Sequence, residues 1–205
     1  RTNGVVSTRF AIYKNELARR LVPDFPNASL SAMAYQNFQM PPEGTALDPH
    51  YTVILCDHGR CYRHALDDPA CPANQWFRTL FEAWAGTENP RGIFNYYDCF
   101  AAQDEKGAGI LAVPLDDIVA ADIRYMHRLG HSLWSLSTMP PDGDYRYANG
   151  RYNIPQVTDY WRANMHMHYI QAKLAWEPGL DVEALRRDLD EKFYGPAADA
   201  MNRYY

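Results

Sequence analysis

Apolar residues recur along the chain in two rhythms. Phe10, Tyr13, Leu17 and Leu21 fall at near-helical spacing, with Ser7 or Thr8 as the expected N-cap and Pro23 and Pro26 closing the element. Trp76, Phe77, Leu80, Phe81 and Trp84 share one face of a second helix. Ile118, Val119, Ile123, Met126 and Leu129 mark a third, which stops at Gly130 as helices often do. Two more helices are predicted, from about Thr158 to Trp176 and from Val182 to Phe193, the latter capped by Asp181. Short continuous apolar runs interrupt them. Ser29–Tyr35, Tyr51–Cys56, Gly92–Tyr97 and Ser132–Ser137 read as buried strands, with YTVILC the clearest.

Strands alternate with helices, except between the first two strands. That pattern predicts an α/β fold with a parallel sheet of about four strands, either half of a (β/α)8 barrel or a small open sheet. The functional face is then expected at the C-terminal ends of the strands. No linker or internal repeat breaks residues 1–205, which read as one domain. The chain opens at Arg1 and stops at Tyr204–Tyr205, a few residues into a new helix, so it reads as a piece of a larger protein.

Composition narrows the function. The 205 residues carry 20 Lys+Arg against 25 Asp+Glu, a net charge of −5 with no basic block, which argues against nucleic-acid binding. No stretch approaches 18 apolar residues, so no membrane span is expected. Phosphate loops, nucleophile elbows and HExxH zinc motifs are missing, and no cofactor is predicted. Tyr is unusually abundant, with 15 copies, alongside 5 Trp.

The strand ends combine amides, carboxylates and flat rings. Tyr35, Gln36 and Asn37 follow the first strand, Asp57 and His58 the second, and Asn95, Tyr96, Tyr97 and Asp98 the third; the fourth brings Trp134 and Ser137. Sugars suit this mixture, because polar groups bond hydroxyls while rings stack on pyranose C–H faces. A loop with Tyr145, Tyr147 and Tyr152 is placed to roof such a cleft. Asp57 and Asp98 are the candidate catalytic pair. On neighbouring strands about 4.8 Å apart, their carboxyls approach the separations of about 5–9.5 Å that glycosidases use. The plainer alternative is that both cap loops or pair with arginine. Arg60, Arg63 or Arg146 is suited to receive a uronate carboxylate.

The loop after Cys56 concentrates Cys61, His64 and Cys71. Its spacing lacks the two close pairs of a zinc ribbon, so no metal site is expected. In a secreted protein a Cys61–Cys71 disulfide tying the loop is the favoured reading, with Cys56 a buried thiol. His166 and His168, two apart on a helix, read as packing or surface residues.

Several segments match a known family in order and spacing: RFAIYKNELARRL, AYQNFQMPP, VILCDHGRCYRHALDDPACPANQWF, IFNYYDCF and QAKLAWEPGLDVEALRRDLDEKFYGPAA. Over most of the chain they resemble the domain of unknown function 4838. That family is similar to (β/α)8 glycoside hydrolases of the α-glucuronidase and hexosaminidase type. The resemblance implies the C-terminal half of a TIM barrel, preceded by its other half, in a secreted or periplasmic bacterial protein that also carries carbohydrate-binding modules. It implies oligo- or polysaccharide as partner, and a cleft lined by Tyr35, Gln36, Cys56, Cys61, His64, Tyr96 and Tyr97. The chain departs from the family pattern at Asn95, Gly59 and Leu136 or Ser137, where acidic residues are usual. These losses shift any catalysis to Asp57, Asp98 or residues beyond this chain, or leave a barrel that binds carbohydrate without cleaving it.

Overall fold

The β-branched run Tyr51–Cys56 forms the strand its composition predicts, and three others join it. In this computed structural model, which describes residues 3–97, 114–136 and 164–205, β1 (Leu30–Ala34), β2 (Tyr51–Cys56), β3 (Arg91–Asn95) and β4 (Leu133–Leu136) make one sheet. All neighbours are parallel, in the order β1-β2-β3-β4. The helices are α1 (Asn3–Leu21), α2 (Gln75–Ala85), α3 (Asp116–Arg128), α4 (Met165–Trp176), α5 (Val182–Leu189) and α6 (Ala198–Tyr204). Contacts divide the chain into two units, Arg1–Asn95 with Tyr125–Leu136, and Tyr96–Arg124 with Ser137–Tyr205. Among the described residues no helix is long and apolar enough to cross a membrane.

The first unit holds the sheet. Register pairs Ala32 with Val53, Ala34 with Leu55, and Leu55 with Ile93, so these residues share one side. They are buried together with Phe77, Leu80, Phe81 and Trp84, the predicted face of α2. The opposite side is less covered. Ser31 and Met33 are exposed, and Thr52, Ile54 and Phe94 are only half-buried.

α1 departs from expectation. It begins four residues before Ser7, and it buries Ser7, Ala11 and Ala18, while Tyr13 and Leu21 stay exposed. Small residues let this helix come close, and the β1–β2 connection, which has no α-helix, is laid along it. Phe38 stacks on Phe10 at 4.7 Å, and Thr8 Oγ1 donates to the Glu43 carbonyl while accepting from its N–H. Asn15 does the same for Ala46 and Asp48, and Trp84 Nε1 donates to the Gln39 carbonyl at 2.6 Å.

Gly130 ends α3 as predicted. The His131 N–H bonds the Met126 carbonyl and the Gly130 N–H that of His127, a Schellman closure with Gly130 at φ +78°. A side chain there would also meet Arg91 Nη2 at 3.0 Å. His131 is thereby buried beneath the edge of Phe81. Burial and the Arg91 charge push its imidazole down from 6.5 to about 4. The fold favours the neutral ring, so this stability is complete above pH 6.5 and is lost as pH falls towards 4, by roughly 3 kcal/mol in all. Urea midpoints measured across that window should drop with a slope that His131→Leu reduces by about one proton; equal slopes would refute the linkage.

The second unit is built round α4, which is buried on nearly every side through His166, Met167, His168, Ile170, Gln171 and Leu174. Asp181 caps α5 as expected, its Oδ1 accepting from the Ala184 N–H at 2.9 Å. α5 runs into a π turn over Asp190–Tyr194 rather than continuing as α-helix to Phe193.

Candidate functional site

β1 ends in a strained corner. Tyr35 is half-buried, and Gln36 adopts φ +49°, a left-handed conformation that a non-glycine residue holds only under constraint. Gln36 and Asn37 are exposed. At the end of neighbouring β2 the exposed His58 ring meets Tyr35 edge-on, with centroids 6.2 Å apart. The chain then turns tightly, the Arg60 N–H bonding the Asp57 carbonyl across Gly59 at φ +87°. Glycine suits this turn, since any side chain at position 59 would be carried on left-handed backbone.

Asp57 is not presented to this corner. Alternation places it on the helix-covered side with Val53 and Leu55, and it is 1% exposed. Its Oδ2 lies 3.1 Å from Arg60 Nε in a pair whose partners are both buried. Tyr62 Oη donates to Asp57 Oδ1, and the Tyr62 ring lies 4.3 Å from the Arg60 guanidinium. Arg60 is therefore committed to Asp57, and of the three candidate carboxylate receivers Arg63 is the exposed one described. Asn95 is wholly buried at the end of β3.

In the second unit Tyr96 is half-buried, and Tyr97 is buried with its hydroxyl donating to Asp122 Oδ2 at 2.6 Å. Trp134 pairs with Ile93 in the ladder. Asp98, Cys99, Ser137, Arg146 and the Tyr145, Tyr147 and Tyr152 loop lie outside the described residues.

The loop between β2 and α2 brings its three sulfur and nitrogen groups together. Cys61 Sγ stands 3.2 Å from His64 Nδ1, and these two atoms and Cys71 Sγ all lie within 4.8 Å of one another. The expected Cys61–Cys71 disulfide is not formed; both are free thiols, as is Cys56. Burial works to raise the Cys61 thiol, but hydrogen bonds from His64, the Arg63 N–H and Cys71 outweigh it and hold the thiol below its ordinary range. Asn74, fully buried, organises the loop. Its Oδ1 accepts from the Cys61 N–H at 2.8 Å, and its Nδ2 donates to the carbonyls of Cys61, His64 and Ala65 at 3.0–3.1 Å. Sequence reasoning passed over Asn74, which reads simply as a helix N-cap.

A second constellation went unread. His166, fully buried, presents Nε2 to Asp190 Oδ1 at 2.8 Å and Nδ1 to Asp116 Oδ2 at 3.3 Å, with its ring stacked on Tyr205 at 3.7 Å. Asp116 also accepts from Arg186 Nε at 3.0 Å, and Asp190 from Asn202 Nδ2 at 3.2 Å. With no open face on the histidine, this network is structural.

A cleft of about 470 Å³ opens elsewhere in the first unit, between residues 41–49 and 84–89, which precede β2 and β3. Glu88 is the one charged residue in its lining. The strand C-termini are the better site, because parallel sheets gather functional loops there and the convergent polar groups are there.

A family model described as Domain of unknown function (DUF4838) matches residues 2–205. No curated protein and no solved structure matches the chain.

Proposed function

The chain belongs to the DUF4838 family, and from that premise we propose that it is part of a (β/α)8 barrel that engages oligo- or polysaccharide at the C-terminal ends of β1 and β2. The strand order supports the barrel. A doubly wound open sheet reverses its order at a switch point, whereas this sheet runs β1-β2-β3-β4 without reversal. The half-covered side with Met33, Ile54 and Phe94 supports it too, since parallel sheets are ordinarily covered on both faces. Further strands of a closed barrel would supply that cover.

The observation that carries the carbohydrate reading is the Tyr35–His58 pair, two rings held edge to face beside the exposed amides of Gln36 and Asn37. Rings offer stacking surface to a pyranose, the amides bond its hydroxyls, and Arg63 is available to a uronate. Binding is favoured over hydrolysis by the commitment of Asp57 to Arg60 and Tyr62. A secreted or periplasmic bacterial setting belongs to the same reading.

Calorimetric titration with neutral and uronate-containing oligosaccharides tests it. We expect binding that Tyr35→Ala weakens about tenfold, the scale of losing one aromatic anchor. Aryl-glycoside hydrolysis, if any is seen, should not depend on Asp57 beyond what Asp57→Asn costs in folding. Absence of saccharide binding, or binding indifferent to Tyr35, removes the proposal.

A further inference from the structure

The loop joining β2 to α2 holds a group of side chains whose chemistry goes beyond lining a saccharide cleft. Cys61 and His64 form one close pair, at i and i+3, with Sγ and Nδ1 3.2 Å apart. Cys71 is ten residues beyond Cys61, too far for a recognisable zinc motif, yet its Sγ comes within 4.8 Å of both atoms. Tetrahedral zinc with Zn–S near 2.3 Å and Zn–N near 2.0–2.1 Å needs ligand atoms roughly 3.3–3.8 Å apart. The three atoms thus stand close to the separations a shared ion requires, and modest side-chain rotation closes the remainder.

The backbone under them is fixed independently of any ion. The four hydrogen bonds of Asn74 reach the Cys61 N–H and the carbonyls of Cys61, His64 and Ala65. Cys71 is held by its own N–H bonding the Asp68 carbonyl, and its carbonyl accepts from the Asn74 N–H. One buried residue therefore ties the segment with the first two donors to the segment with the third. Burial grades across the group as well: Cys71 is buried, Cys61 half-buried and His64 exposed. Such a gradient gives an ion a path in from solvent.

We propose that Cys61, His64 and Cys71 form a binding site for a thiophilic divalent cation, zinc by preference, with a water completing the tetrahedron. Two thiolates and a neutral imidazole balance the ion's charge, and the sulfur donors select zinc over magnesium or calcium. Binding releases the thiol protons to solvent. The two proposals fail separately, since the saccharide test reads Tyr35 while the metal test reads His64 and Cys71, although Arg63 stands between two of the ligands in sequence.

Cobalt(II) serves as the spectroscopic probe, with the full chain kept reduced. We expect one ion per chain, with thiolate-to-cobalt charge-transfer absorption and tetrahedral d–d bands that zinc abolishes by displacement. His64→Ala changes an exposed residue; with an unaltered circular dichroism spectrum as the control for folding, it should weaken binding at least about tenfold. Cys71→Ser should remove one thiolate's share of the charge-transfer intensity, while Cys56→Ala should change nothing. Absence of the charge-transfer bands overturns the proposal. So does absorption that persists unaltered in both His64→Ala and Cys71→Ser, which would put the ion elsewhere.

Discussion

His166→Leu should cost the second unit about 3–5 kcal/mol, the scale of breaking a buried charge network by removing one partner. The imidazole is the common neighbour of Asp116 and Asp190, at 3.3 and 2.8 Å. Without it Asp190 keeps Asn202, and Asp116 keeps Arg186, but each carboxylate loses its ring-nitrogen neighbour in a site that water does not reach. Leucine also leaves Tyr205 without its stacking partner. Urea unfolding followed by tyrosine and tryptophan emission measures the loss. His166→Gln retains one donor amide and should lose less. A loss below about 1 kcal/mol for leucine would mean that the carboxylates find other donors and that the histidine is merely packed.

Asn74→Ala should be nearly as damaging, about 2–4 kcal/mol, although it removes only an amide. The cost lies in what is left behind: the Cys61 N–H loses its acceptor, and the carbonyls of Cys61, His64 and Ala65 keep only longer bonds, from Arg60 Nη1 at 3.5 and 3.4 Å and from the Asp68 N–H at 3.2 Å. Asn74→Asp gives the sharper comparison. A carboxylate still accepts from the Cys61 N–H but donates nothing to the three carbonyls, and it buries a charge among them. We therefore expect aspartate to be no better than alanine, whereas a residue acting only as a helix cap would tolerate aspartate well. Labelling of the buried Cys71 by a thiol reagent should speed up in both variants. A parent-like labelling rate would show that the loop is held by other means.

These contrasts indicate what was legible in the chain. The strands were, Tyr51–Cys56 by its β-branched residues and the other three as short apolar runs bounded by loop residues, and so was the α2 face, whose large residues repeat at i, i+3, i+4 and i+7. α1 misled because Phe10, Tyr13, Leu17 and Leu21 form an apolar stripe, while the residues that matter for close approach, Ser7, Ala11 and Ala18, carry little hydrophobic signal. Asp57 was selected for lying at a strand end, but the alternation Val53, Leu55, Asp57 already set it on the helix side. The His166 network was out of reach in principle, since its carboxylates lie 50 residues before and 24 residues after it. The Cys61–His64–Cys71 group was read by spacing alone, and spacing carries no trace of the amide that folds Cys71 back.

Spatial order in the sheet repeats chain order. Every pairing among β1–β4 joins strands that are consecutive in the sequence, so each ladder closes over the shortest connection a parallel sheet allows, and the entropy lost in bringing the two partners together is kept low.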